Sequence, residues 1–222
     1  VRKEIEGQIR KITQSFAASN ISIASNFPKW DGNDLVWEKF KNLSFSLKNE
    51  NYQTIYIKCF EQGDYNLVLM DGALIQMKYR FNKEEVIEHV LSFYPSPFME
   101  RFQDNPSDFM ATYFSGDELF SEITGESPVC SPIRFDFNCS EKIFREMEHP
   151  KSHLTIGDYK NCRIPIKSPL SPNRFIKFIL RSFYYEKFSA NYTDNFFKCD
   201  LRFAETIFGQ EKHHLYFNWS NV

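Results

Sequence analysis

Eight polar residues able to move protons or hold phosphate crowd into thirty positions: Arg134, Asp136, His149, Lys151, Ser152, His153, Thr155 and Arg163. Two imidazoles and a guanidinium suffice to cleave a phosphodiester such as RNA without a metal. One ring takes the 2′-hydroxyl proton, the other protonates the leaving oxygen, and arginine stabilises the phosphorane charge. His149 and His153 are the acid/base candidates, Arg134 and Arg163 the phosphate clamps, with Asp136 beside them. The structural alternative is plainer. His149-Pro150 then shapes a turn, His153 bonds its own loop, and Arg134–Asp136 is a solvated ion pair on a strand.

Pro150 keeps His149 and His153 from being a helical i, i+4 zinc pair. A set of Cys139, His149, His153 and Cys162 fits no common zinc module, whose paired ligands sit two to four residues apart. No metal or other cofactor is expected. Asp71, Gln76 and Lys78 follow a hairpin signal, as in metal-dependent nucleases, but glutamine stands where a second carboxylate is needed, and Asp71 reads more simply as a turn residue. Lys167, Arg174, Lys177 and Arg181 line one side of the helix over 172–187 among aromatics and could grip phosphates while rings stack on bases. An ordinary solvated face explains them as well. No phosphate-binding glycine loop, dinucleotide fingerprint or nucleophile elbow is present.

The 222 residues carry 27 Lys and Arg against 29 Asp and Glu, a net charge of −2, which excludes a globally basic nucleic-acid coat. Twenty-four Phe, 11 Tyr and 3 Trp beside 25% charged residues indicate a folded chain. That length predicts burial of roughly 70% of the unfolded surface. No run reaches the ~20 apolar residues of a membrane span. No signal peptide opens the chain, and the start at Val1 suggests a missing initiator Met or short leader. Five cysteines, odd in number and without a CxxC pair, are expected to be reduced thiols in a cytoplasm.

These residues need elements to hold them. Ile5, Ile9, Ile12 and Phe16 predict an amphipathic helix over residues 2–19, and Val36, Phe40, Leu43 and Leu47 a second, capped by Asn33 or Asp34. Residues 54–60, 65–70 and 73–81 read as a three-stranded meander, with Asp71-Gly72 as a type I′ turn. A helix is expected from Asn82 to Tyr94, and a loop-rich excursion over 98–128. Short strands follow at 133–137, 153–156 and 162–166. Ser171 and Pro172 open a helix over 172–187, and residues 192–208 form one more helix or strand. Leu154 and Ile156 should point into the core, turning His153 and Thr155 toward a cleft or solvent. His153→Ala would then lose anion binding while keeping stability within ~1 kcal/mol.

Several strings resemble a bacterial family of unknown function, the domain of unknown function 2290 family. They are Tyr65-Asn, Met70 to Met77, Phe93 to Pro97, Pro132 to Asp136, His149 to Gly157, Asn161 to Pro165 and Pro169 to Arg181. The resemblance runs from about Gln8 to His214 and implies a full-length bacterial domain, without supplying catalytic residues.

The expected fold is α+β, one domain over 1–222: an antiparallel β-meander sheet with N-terminal and C-terminal helices packed on one face. Two functions stay open. The first is a non-catalytic binding or accessory module for a protein or nucleic-acid partner. The second is a metal-independent, RNase-like phosphodiester-acting enzyme. Convergence of His149, His153 and a guanidinium in one cleft would favour the enzyme.

Overall fold

Ile5, Ile9, Ile12 and Phe16 place one apolar side every turn, and helix α1 (Arg2–Ala18) buries all four. In the computed structural model, described over residues 1–41, 50–97, 131–157, 161–185, 189, 192, 194–198, 201–214 and 216–219, that stripe packs on a nine-stranded antiparallel sheet. The strands are β1 (Ser22–Ser25), β2 (Pro28–Asp31), β3 (Asp34–Trp37), β4 (Leu67–Leu69), β5 (Leu74–Asn82), β6 (Glu85–Tyr94), β7 (Ile133–Asn138), β8 (Ser152–Ile156) and β9 (Ile164–Pro165). Their order is β1-β4-β5-β6-β7-β8-β9, with the β2–β3 hairpin joined to β5. From β4 to β9 every strand pairs with its successor, so the meander is twice as long as expected.

Helix α3 (Pro172–Phe183) lies beside α1 on the same sheet face. The Ser171 side chain caps it by accepting from the Arg174 amide at 3.3 Å, with Pro172 in the first turn. Phe175, Ile176, Ile179 and Leu180 meet Ile75, Met77, Leu91, Phe135 and Leu154 in the main core. The fold is therefore α+β with helices from both ends of the chain on one face.

The opposite face carries helix α2 (Tyr52–Glu61), where a strand was expected. Asn51 caps it, accepting from the Thr54 amide at 2.8 Å. Tyr56 and Cys59, three apart, bury against Tyr65, Val68 and Leu74. Helical spacing overrode the β preference of Thr54, Ile55 and Ile57 because a half-covered sheet face was there to pack on.

Two expected helices are strands. Residues 85–94 form β6, paired to β5 from Leu74↔Tyr94 through Asn82↔Glu85. The turn into it holds Lys83 at φ 54. Leu91 and Phe93 enter the core, while Val86, Ile87, Val90 and Leu91 only mimic a helical period. In place of a helix from Val36, β3 pairs with β2 across Gly32-Asn33, with Gly32 at φ 59. Residues 42–49 and 98–130 lie outside the described residues.

The Asp71-Gly72 turn exists in another form. The Leu69 amide bonds to Ala73 O at 2.8 Å and the Gly72 amide to Leu69 O at 2.9 Å, leaving a three-residue loop. Gly72 alone takes positive φ (81), whereas type I′ needs it at both central residues. The third helix ends at Phe183, and within 192–208 a 3₁₀ turn spans Asp194–Phe197.

Candidate phosphate-binding face

Antiparallel pairing of β7 and β8 sets Asp136 opposite His153 and Arg134 opposite Thr155. Phe135 and Leu154, one residue out of phase, fill the core, so these four side chains share the face away from α1 and α3. Pairing of β9 continues the pattern: His153 faces Pro165 and Leu154 faces Ile164. By the same alternation Arg163 falls on the His153 face. His149 enters from the turn before β8, closed by Arg145–His149 backbone bonds of 3.1 and 2.7 Å.

The candidates therefore converge. Arg134 Nε donates to Asp136 Oδ2 at 2.7 Å, and His153 Nε2 stands 3.6 Å from the same oxygen. The His149 and His153 rings touch edge-to-face, with centroids 5.0 Å apart. Arg163 donates to Glu148 O at 3.5 Å and is close enough to depress both imidazoles.

Chemical character follows from burial. His153 is 4% exposed, and its Nδ1–H donates to Pro150 O at 2.9 Å. Burial lowers its pKa, with Asp136 opposing, so it is neutral near pH 7. Half-buried His149 is lowered by burial and by the Arg163 charge. Arg134 is held charged by Asp136, and its side chain keeps 48% of its surface open. Asp136 is only 15% exposed. His153 thus faces away from the apolar core, as the alternation predicts, without reaching solvent. His153→Ala is now expected to lose about 1–3 kcal/mol in urea denaturation, through the cavity and the lost bond to Pro150. A loss under about 0.5 kcal/mol would show that the burial contributes nothing.

Other candidates separate. Lys151 pairs with Glu141 and lies over the Phe144 and Phe208 rings, and Ser152 turns inward to Thr206. Arg174, Lys177 and Arg181 belong to α3, across the sheet from the cluster, and Arg174 covers Trp219. Asp71, Gln76 and Lys78 do not form a site. Asp71 accepts from Tyr184 at 2.6 Å, Gln76 donates to Asp64 O, and Lys78 pairs with Asp34. Among the described residues no three His, Cys, Asp or Glu side chains are grouped to hold a metal ion. Cys59, Cys139 and Cys162 are free thiols, and His213 and His214 are exposed.

One feature gave no signal in the sequence. A cavity of about 270 Å³ opens beside the cluster, sharing Arg134 and Thr155 with it. Tyr52 and Ile55 of α2, Tyr94 of β6 and Pro132 complete its walls, with Glu50 also lining it. Four segments far apart in the chain build it, so no local pattern announces it.

A family model described as "Uncharacterized conserved protein (DUF2290)" matches residues 19–219. The chain belongs to that family. No curated protein and no solved structure matches it. Membership of DUF2290 names no chemistry, so the face itself carries the functional argument. No described helix of this DUF2290 protein is long and apolar enough to cross a membrane.

Proposed function

We propose that the chain is a non-catalytic binding module that engages the phosphates of a nucleic-acid partner on the Arg134–Arg163 face. The observation carrying this reading is Arg134 itself. Its Nε is committed to Asp136, which fixes the guanidinium plane, among the described residues its terminal nitrogens hold no hydrogen bond, and the residue lines a cavity. With both imidazoles neutral, Arg134, Arg163 and Asp136 sum to one positive charge. A charge-assisted contact to phosphate from a preoriented guanidinium contributes about 1.5–3 kcal/mol.

Binding of a labelled single-stranded RNA, followed by fluorescence anisotropy in EDTA, tests this. Arg134→Gln should weaken binding by about tenfold or more, and wild-type affinity should fall as salt rises. Wild-type affinity in the variant would sink the proposal.

Metal-independent cleavage by His149 and His153 is the second reading, favoured by their convergence with the two arginines. Two details weigh against it. Acid and base must address oxygens on opposite sides of phosphorus, each within about 3 Å of its own oxygen. Rings in contact at 5.0 Å leave no room for phosphate between them, and one is buried. A gel of the same RNA separates the readings: shortened product that disappears in His149→Ala would replace binding by cleavage.

A further inference from the structure

We infer that the cavity beside Arg134 receives a single nucleotide unit, its base against Tyr94 and Tyr52 and its phosphate on Arg134 and Thr155; this rests on the nucleic-acid reading above. Size comes first. At about 270 Å³ the cavity lies just below the usual range for small-molecule pockets, so it suits one planar ring and its sugar, not a duplex. The walls come second. The Tyr52 and Tyr94 rings are 18° from parallel with centroids 6.4 Å apart, and Ile55 and Pro132 add apolar surface. Tyr52 is pinned through its hydroxyl to Pro95 O at 2.5 Å, so that part of the wall is formed before a ligand arrives. Burial pushes the Tyr94 phenol up to about 12, keeping it neutral beside an anionic ligand.

Polarity gives the orientation. Arg134 and Thr155 are cross-strand neighbours and offer N–H and O–H donors to a phosphate. Glu50 is an acceptor-only group at the same cavity, 2.9 Å from Lys58. A carboxylate there favours a base with adjacent N–H donors, and guanine presents two side by side. Uracil offers a single N–H between carbonyls. A paired, stacked base has neither its ring face nor that edge free, so the ligand is single-stranded RNA or DNA, or a free nucleotide.

Titration calorimetry with inorganic phosphate, guanosine 5′-monophosphate, uridine 5′-monophosphate and a guanine-containing single-stranded oligonucleotide tests the assignment. Guanosine monophosphate should bind at least about tenfold more tightly than phosphate, the size of one base stack. Tyr94→Leu should remove that advantage and leave phosphate binding intact. Ile55→Trp, which fills the cavity from α2, serves as a second variant should Tyr94→Leu fold poorly. Glu50→Gln should erase the preference for guanosine over uridine. Equal affinity for phosphate and guanosine monophosphate in wild type would overturn the pocket and keep the phosphate face. Binding of neither would overturn both. Tighter binding of the oligonucleotide than of the free nucleotide identifies a strand as the source, and the reverse a free nucleotide. Displacement of guanosine monophosphate by an acidic peptide of equal charge would also overturn the assignment, in favour of a protein partner.

Discussion

Gly72→Val is expected to destabilise the fold by about 3 kcal/mol or more, from two separate causes. Gly72 sits at φ 81, where a side chain meets its own carbonyl, at about 1–2 kcal/mol, and β-branching is least tolerant there. The space is also occupied. A Cβ would stand 3.2 Å from the Ser96 side chain and 3.2 Å from the Tyr56 hydroxyl. That hydroxyl donates to Gly72 O at 2.5 Å, so relief by moving Tyr56 sacrifices a buried hydrogen bond. Overpacking of this kind adds about 1–3 kcal/mol. Gly32 separates the causes: its φ is 59, yet nothing lies within 4 Å of its would-be Cβ. Gly32→Ala should therefore lose only about 1 kcal/mol. Urea denaturation of both variants checks the claim, with a melting temperature drop of roughly 6–12 °C for Gly72→Val. Equal losses would show that crowding at Gly72 contributes nothing.

Asp64→Asn should raise stability at pH 7.5 by up to about 3 kcal/mol and make no difference near pH 4. The carboxyl is 5% exposed, and burial pushes it up to about 6 from an ordinary 3.8. Trp37 Nε1 at 3.2 Å and the Lys41 amide at 3.4 Å oppose that shift without cancelling it. The folded state therefore binds this proton more tightly than the unfolded state does. Ionisation above pH 6 costs stability, and that loss is recovered as pH falls from 6 toward 3.8. Asparagine keeps Oδ1 as acceptor for both donors and carries no charge.

His89 works in the opposite sense. Burial takes its pKa down to about 3, and its Nε2 must stay unprotonated to accept from the Leu170 amide at 3.0 Å. Its neutral form matches the unfolded chain above pH 6.5, and stability falls below that point, by about 2 kcal/mol at pH 5. His149 and His153, both lowered, act in the same direction. Asp64 offsets part of this in the wild type. The Asp64→Asn variant should lose stability more steeply between pH 6 and 4 when unfolding is followed across that range. Parallel profiles for the two proteins would refute the assignment.

How far local pattern reaches is visible in particular elements. The Ile5 to Phe16 stripe, the Ser171-Pro172 start and the strands around Phe135 and Leu154 were readable because each meets one face of a single core, so its period survives in the sequence. The same alternation put Arg134 with Asp136 and His153 with Thr155 on common faces. Residues 54–60 and 85–94 exchanged types for a physical reason. A run of four to six apolar residues fits either period, and its partner decides: α2 found an uncovered sheet face, while β6 found the edge of β5. Distances between elements were beyond any local pattern. The β7–β8 register places Asp136 against His153, and pairing energy summed over both strands, not the properties of these two residues, sets that register. His153 is buried where β7, β8 and the turn before β8 meet, and the cavity walled by Tyr52, Tyr94, Pro132 and Thr155 arises where four segments far apart in the chain meet. Pairing of β6, β7 and β8 together with the packing of α2 assembles the cavity walls, because a side chain's solvent and electrostatic surroundings belong to its neighbours in space.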